Sequence, residues 1–174
     1  DFISFQDDCF VIDKKRVYKI CDLIDAGEVL KGIRWSCNGR VTVCDRPLVE
    51  RMRASGCISV AYGIESGSET ILRNMNKHAT LEQAAEAIEI SRAVGVKTPL
   101  AFMIGYPGET RETVMETVQF CKNLNIPLTS MTFTCPYPGT PLYEELRAAG
   151  KLPGNEEDLV LHMGDAVDLT LNLT

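Results

Sequence analysis

The sequence predicts an α/β fold in which a curved parallel sheet is backed by helices on its outer side. Two observations carry this expectation. Five times along the chain a strand-length apolar run is followed by a capping residue and an amphipathic segment, the pattern of right-handed βα crossovers in a parallel sheet. In four of the five strands one face is small or polar and the other bulky, whereas a parallel strand covered on both sides reads apolar throughout. A barrel interior packed only for stability is dominated by branched apolar side chains, so a polar concave face suggests a lumen that holds a ligand. The competing reading makes some of these strands edges with one face in water.

The first unit is "FISFQ", then Asp13 as a helix N-cap, then "KKRVYKICDLIDA" with Val17, Ile20, Cys21 and Ile24 on one face, and Gly27 as a stop. The second is "GIRWSCN", Asp45 with Pro47 close behind, and "LVERMRAS" closed by Gly56. The third is "CISVAYGIE", followed by "SETILRNM" and a longer helix, "TLEQAAEAIEISRAV", which opens at Thr80 near Glu82 and Gln83 and ends at Gly95. The fourth is "VKTPLAFMIG", Thr110 and "RETVMETVQFCKNL"; the fifth is "PLTSMTFT", "PYPGTPLYEELRAA" and Gly150. The final stretch breaks this rhythm, and its alternating Val167, Leu169, Leu171 and Leu173 read as a half-buried strand or an extension. The expected division is therefore a barrel-like unit over 1–150 and a C-terminal extension over 151–174.

Ser4, Gln6 and Asp8 share one face of the first strand, and Ser36, Asn38 and Arg40 one of the second if extended backbone reaches Arg40. Ser59, Ala61, Gly63 and Glu65 share a face of the third, opposite Ile58, Val60, Tyr62 and Ile64; Ser130, Thr132 and Thr134 share one on the fifth. Polar residues also gather just past the strand ends: Gln6 to Asp8, Asn38 to Arg40, Glu65 to Ser66, Gly105 to Glu109, and Thr134 to Tyr137. That rim is where parallel α/β folds assemble their sites, so a large binding site is expected there.

Composition narrows the function classes. With 174 residues, 45% of them hydrophobic, the chain has material for one core. Its net charge of −6 gives no general reason to bind phosphate backbones or anionic lipid, and nucleic acid is not implied. No apolar segment reaches the ~18 residues of a membrane span. Seven cysteines without framework spacing fit reduced thiols and a cytoplasmic setting. Two histidines, His78 and His162, have neither cysteines nor acids at ligand spacing, and no Ser-His-Asp or Cys-His arrangement is present, so hydrolase chemistry is not expected. Asp1 runs straight into a strand, as a piece of a longer protein would.

Three stretches are more specific. "YGIESGSETIL" puts Glu65 at a strand end before Ser66-Gly67-Ser68, read as a flexible turn into a helix. "FMIGYPGET" ends a strand with Gly105, a Pro107-Gly108 turn and Glu109, where glycines let backbone approach a ligand and the next helix start offers N–H groups. "CPYPGTPLY" offers exposed rings and another rigid turn. Each alone is ordinary turn punctuation.

Taken in order, "FQDDCF", "RWSCNGR", "GCISVAYGIESGSETILRNMNK", "FMIGYPGET" and "PYPGTPLY" resemble the radical S-adenosylmethionine (SAM) superfamily, in particular its cobalamin-associated subgroup, over roughly residues 1 to 147. The resemblance implies a partial (β/α)6 TIM-like barrel whose lumen holds a 4Fe–4S cluster and SAM, generating a 5′-deoxyadenosyl radical that abstracts a substrate hydrogen. It also implies cobalamin through an upstream domain. The superfamily binds its cluster through a CxxxCxxC loop after the first strand, and no pair among Cys9, Cys21, Cys37, Cys44, Cys57, Cys121 and Cys135 has that spacing. The expectation is a barrel missing its first strand, with cluster ligands outside this chain, which alone is inactive. An exposed first strand would then favour dimerisation or strand exchange.

What the resemblance implies for residues is limited to matching positions. Gln6 or Asp8 would accept from the SAM ammonium, with Asp7 turned toward the helices; the other reading is helix-entry capping. Glu65 would meet the SAM ribose or amino group, against a rim ion pair; Asn38 and Ser66 stand beside these strand ends. Arg40 would hold the SAM carboxylate, against a plain surface arginine. Gly105 and Gly108 would present backbone to the adenine, and Tyr137 is expected to pack in the core, against closing the lumen from the last strand. The alternative function is a non-catalytic βα ligand-binding or assembly module with a degenerate, cluster-free barrel. CxxxCxxC within about 30 to 60 residues upstream would separate the two.

Overall fold

A computed structural model describes residues 1–27, 31–127 and 131–152. Five parallel strands pair in sequence order: β1 (Phe2–Ser4), β2 (Arg34–Gly39), β3 (Cys57–Glu65), β4 (Leu100–Ile104) and β5 (Met131–Phe133). They form a curled half-barrel with helices around it, the partial TIM-like architecture expected. The expected tail strand, with the extension from Pro153 onward and His162, lies outside the described residues, as do Ser130 and its two predecessors.

The helices are α1 (Lys14–Ala26), α2 (Arg46–Ala54), α3 (Glu69–Asn74), α4 (Leu81–Val94), α5 (Arg111–Asn123) and α6 (Pro141–Ala148). Their starts are fixed by side chains that satisfy free N–H groups. Asp13 accepts from the Arg16 N–H and Asp45 from the Leu48 N–H, each at 3.1 Å. Thr80 with Gln83 and Thr110 with Thr113 form reciprocal capping boxes. Gly27 closes α1 at an ordinary φ of −87°, so it is not the left-handed stop that a helix-ending glycine usually supplies.

The core fills the space between the sheet and α1, α2 and α4. Trp35 and Cys37 of β2, Val60, Tyr62 and Ile64 of β3, and Leu100 and Phe102 of β4 are buried there, against Val17, Leu48, Met52 and Ile88. Burying each large side chain stabilises the fold by ~1.5–3 kcal/mol. Trp35 also donates its indole N–H to the Ser55 carbonyl at 3.0 Å, and its ring meets Phe5 edge-on at 5.5 Å.

Two strand details differ from plain alternation. A bulge opposite Trp35 and Ser36 makes Cys57, not Ile58, the residue that pairs with Trp35 and is buried. β2 ends at Gly39, so Arg40 has already left the strand. One further expectation is corrected. Tyr137 is 43% exposed and not part of the core, because it lies in the loop before α6. Within α2, Met52 is fully buried and Arg51 bridges α2 to α1 through Asp22 and Asp25, both at 2.8 Å.

The other sheet face is open. Ser4, Ser36 and Ser59 are in register across β1, β2 and β3, followed by Asn38 beside Ala61, Gly63 beside Ala101, and Met103 beside Thr132. All of these are exposed or half-buried, while their strand neighbours Cys37, Val60, Tyr62 and Phe102 are buried. The face left uncovered is thus the small, polar one.

Candidate functional site

At the C-terminal end of β3 the chain turns sharply. Glu65 adopts a φ of +70°, a left-handed conformation that costs a non-glycine residue about 1–3 kcal/mol. Its carboxylate folds back over the open face: a Cβ built on Gly63 would stand 2.4 Å from Glu65 Oε1. The same oxygen accepts from Lys77 Nζ at 2.7 Å, with both side chains largely shielded at 20% and 26% exposure. Gly63 therefore makes room for a carboxylate–ammonium pair lying flat against the strand end.

Lys77 comes from the turn after α3, and that turn is gripped from several sides. Its backbone N–H bonds to the Leu72 carbonyl at 3.0 Å, and Asn76 and His78 on either side have φ of 54° and 51°. Arg40 reaches the Lys77 carbonyl at 3.4 Å, and the Tyr106 hydroxyl donates to the Asn74 carbonyl at 3.3 Å. The ends of β2, β3 and β4 thus converge on one turn.

Toward β1 the polar rim continues. Gln6 donates to Ser4 at 2.7 Å and Asn38 to the Asp7 carbonyl at 3.2 Å. Asp7 turns to α1, where Arg16 binds its carboxylate at 2.7 Å while lying over the Phe10 ring. Asp8 is exposed at the start of the following turn. His78 is exposed on its turn.

Ser66 faces the other way. It is fully buried, with its hydroxyl 3.3 Å from Thr117 of α5 and accepting from the Ser68 N–H at 3.1 Å. Gly67 donates its N–H to Thr117 at 2.8 Å, and a Cβ there would stand 2.5 Å from Thr117 Cα and 2.8 Å from Phe120 Cβ. The turn read as flexible is a packed contact with α5, closed to any larger residue. The "GYPGE" loop is likewise fixed: Gly105 and Gly108 have φ of 83° and 84°, and the buried Glu109 carboxylate accepts from the Gly105 N–H. Burial pushes the Glu109 carboxyl up, and that N–H bond partly opposes the shift.

The sequence singles out Gln6, Asp8, Asn38, Arg40, Glu65, Ser66, Gly105 and Gly108. The structure gathers Glu65 and Arg40 at the Lys77 turn, with Gly108 bordering it at Asn74, and puts Gln6 and Asn38 along the same rim. It points Ser66 into packing. Lys77, Gly63 and Tyr106 were missed, although a glycine two residues before a strand-end carboxylate, on the same face, was a usable signal.

The profile of the Radical SAM superfamily matches residues 4–121, about two-thirds of the chain. The chain belongs to the radical SAM superfamily. It is 37% identical over 142 residues to an uncharacterised methyltransferase of Pyrococcus horikoshii, covering 82% of this chain and 30% of that protein. To an anaerobic magnesium-protoporphyrin IX monomethyl ester cyclase of Cereibacter sphaeroides it is 29% identical, over 84% of this chain and 24% of the relative. Its fold matches the radical SAM methyltransferase TsrM from Kitasatospora setae, solved with cobalamin and a 4Fe–4S cluster, with a TM-score of 0.69 and 21% identity over 78% of this chain and 26% of that one. The chain spans less than a third of the length of these relatives.

Membership in the radical SAM superfamily implies SAM and a 4Fe–4S cluster. The cluster does not fit the residues described: among them, no group of three or more histidine, cysteine, aspartate or glutamate side chains is placed to hold a metal ion. The thiols are spent elsewhere. Cys37 and Cys57 are buried beneath β2 and β3, where their mutual contact and burial push the Cys37 thiol up, and burial pushes Cys44 up to about 11. Enclosed thiols of this kind behave as small apolar core residues. Among the described residues no helix is long and apolar enough to cross a membrane.

Proposed function

We propose that this radical SAM chain forms the SAM-binding and substrate-facing wall of a radical SAM enzyme of the methyltransferase or cyclase type. The observation that carries the reading is the Glu65–Lys77 pair laid over Gly63 at the C-terminal rim of a polar, open sheet face. A carboxylate there accepts from ribose hydroxyls or from the SAM ammonium. Lys77 and Arg40 offer cations to the SAM carboxylate, and Gln6, Asp8 and Asn38 extend the polar rim toward β1. Gly108, exposed on its loop, offers backbone to a planar ring, while the buried Gly105, its N–H held by the Glu109 carboxylate, shapes that loop, and Ser66 holds the turn behind Glu65.

When bound, SAM and the cluster supply one-electron chemistry at an unactivated C–H bond. The residues of this chain bind and orient; cluster ligands belong to another part of the full-length protein. Cobalamin held by an upstream domain belongs to the same proposal, supported by the fold match to a cobalamin-bound methyltransferase. A cytoplasmic setting is supported by seven free thiols. Association through β1 is supported by its pairing, among the described residues, with β2 alone, and by Phe2 at 54% exposure.

Anaerobic reconstitution of the full-length protein with iron and sulfide tests the enzyme reading. Cluster absorbance together with SAM cleavage is expected. Absence of both favours the cluster-free binding module instead.

A further inference from the structure

We propose that Tyr106 is a positioning residue for this site: its hydroxyl, bound to the Asn74 carbonyl, fixes the turn that presents Lys77 to Glu65. The inference rests on the SAM reading above. α3 has only six residues, and the turn after it carries two left-handed residues, Asn76 and His78, flanking Lys77. So short a helix holds its own end weakly, and the position of the Lys77 ammonium depends on what braces the turn from outside. Arg40 reaches the Lys77 carbonyl at 3.4 Å from the β2 side, and Tyr106 reaches the Asn74 carbonyl at a similar 3.3 Å from the loop after β4. What distinguishes the second brace is the closure of the loop that carries it.

Tyr106 sits in a loop that cannot swing freely. The Glu109 carboxylate binds the Gly105 N–H, and the Glu109 N–H binds the Tyr106 carbonyl at 2.9 Å. From this closed loop the half-buried Tyr106 donates to the Asn74 carbonyl at 3.3 Å, and Gly108 approaches Asn74 so closely that a Cβ would stand 3.0 Å from its Nδ2. Burial pushes the Tyr106 hydroxyl up, with Glu145 adding to the effect, so it stays a proton donor through the neutral range. Two contacts from one loop therefore fix Asn74, three residues before Lys77. The loop after β4 and the turn that carries Lys77 are thereby joined.

A double-mutant cycle on the full-length, cluster-reconstituted protein tests this, with SAM affinity read by anaerobic equilibrium dialysis and thermal midpoints recorded alongside. Tyr106→Phe removes only the hydroxyl and is expected to weaken SAM about fivefold, the worth of one neutral hydrogen bond. In a Lys77→Met background the same change is expected to weaken SAM less than about twofold, because the group it positions is gone. Wild-type affinity in Tyr106→Phe, or an equal loss in both backgrounds, overturns the inference while leaving the SAM site standing. Unchanged affinity in Lys77→Met overturns the SAM reading itself, and the inference with it.

Discussion

The Glu65 carboxylate rests where the side chain of any residue but glycine at position 63 would be: a Cβ there would lie 2.4 Å from Glu65 Oε1 and 3.5 Å from Lys77 Nζ. What it would meet is the free end of a side chain, not backbone. Gly63→Ala is therefore expected to cost little stability, about 1 kcal/mol or less, while lifting the carboxylate off the strand and weakening SAM binding on the order of tenfold. Parallel thermal melts and binding isotherms of the full-length protein separate the two effects.

Gly67 gives the opposite outcome. A Cβ there meets Thr117 Cα and Phe120 Cβ at 2.5 and 2.8 Å, so relief requires α5 to shift. Gly67→Ala is expected to lose ~1–3 kcal/mol of stability by denaturant titration, the usual cost of overpacking. A fully stable variant would mean that the turn after β3 does not pack on α5 as described.

The Lys77–Glu65 pair is shielded but not dry, so its stability worth is small. Lys77→Met is expected to change unfolding free energy by no more than about 1 kcal/mol. The same variant is expected to lose roughly tenfold or more in SAM affinity, with a weaker salt dependence than wild type, because a charge contact to the ligand is removed.

Glu109 gives a pH signature. Its carboxyl is pushed above the ordinary 4.5 chiefly by burial, so between 4.5 and the raised value the folded state holds the proton more tightly than the unfolded chain. Stability contributed by this group is accordingly present at low pH and falls as pH rises through that window. Glu109→Gln keeps an oxygen for the Gly105 N–H and removes the titration. Its thermal midpoint relative to wild type is expected to rise as pH goes from about 4 to 7; a constant difference would show that Glu109 is not shifted upward.

Much of the fold was legible because local chemistry marks it. Asp13, Asp45, Thr80 and Thr110 each cap a helix through their own side chains, and such caps can be read one residue at a time, although the Thr140 cap that starts α6 inside "PYPGTPLYEELRAA" went unread. The polar open face was legible from alternation. What escaped depends on non-local contact. Lys77 meets Glu65 only because α3 returns the chain over β3, Ser66 is claimed by Thr117 fifty-one residues away, and the bulge that buries Cys57 arises from pairing with Trp35. Nothing in "FMIGYPGET" marks Tyr106, yet its hydroxyl lands on Asn74, thirty-two residues earlier. No periodicity or motif spacing carries such information.

The most direct test of the central claim is photolabelling of the full-length protein with an azido-adenine SAM analogue, followed by tryptic peptide mapping. Cleavage after Lys97 and Arg111 isolates residues 98–111, which hold Gly105, Tyr106 and Gly108. Label on that peptide, displaced by excess SAM and reduced in Lys77→Met, is the predicted result. Competable label confined to other parts of the protein, with 98–111 unmodified, would contradict the placement of SAM against this rim.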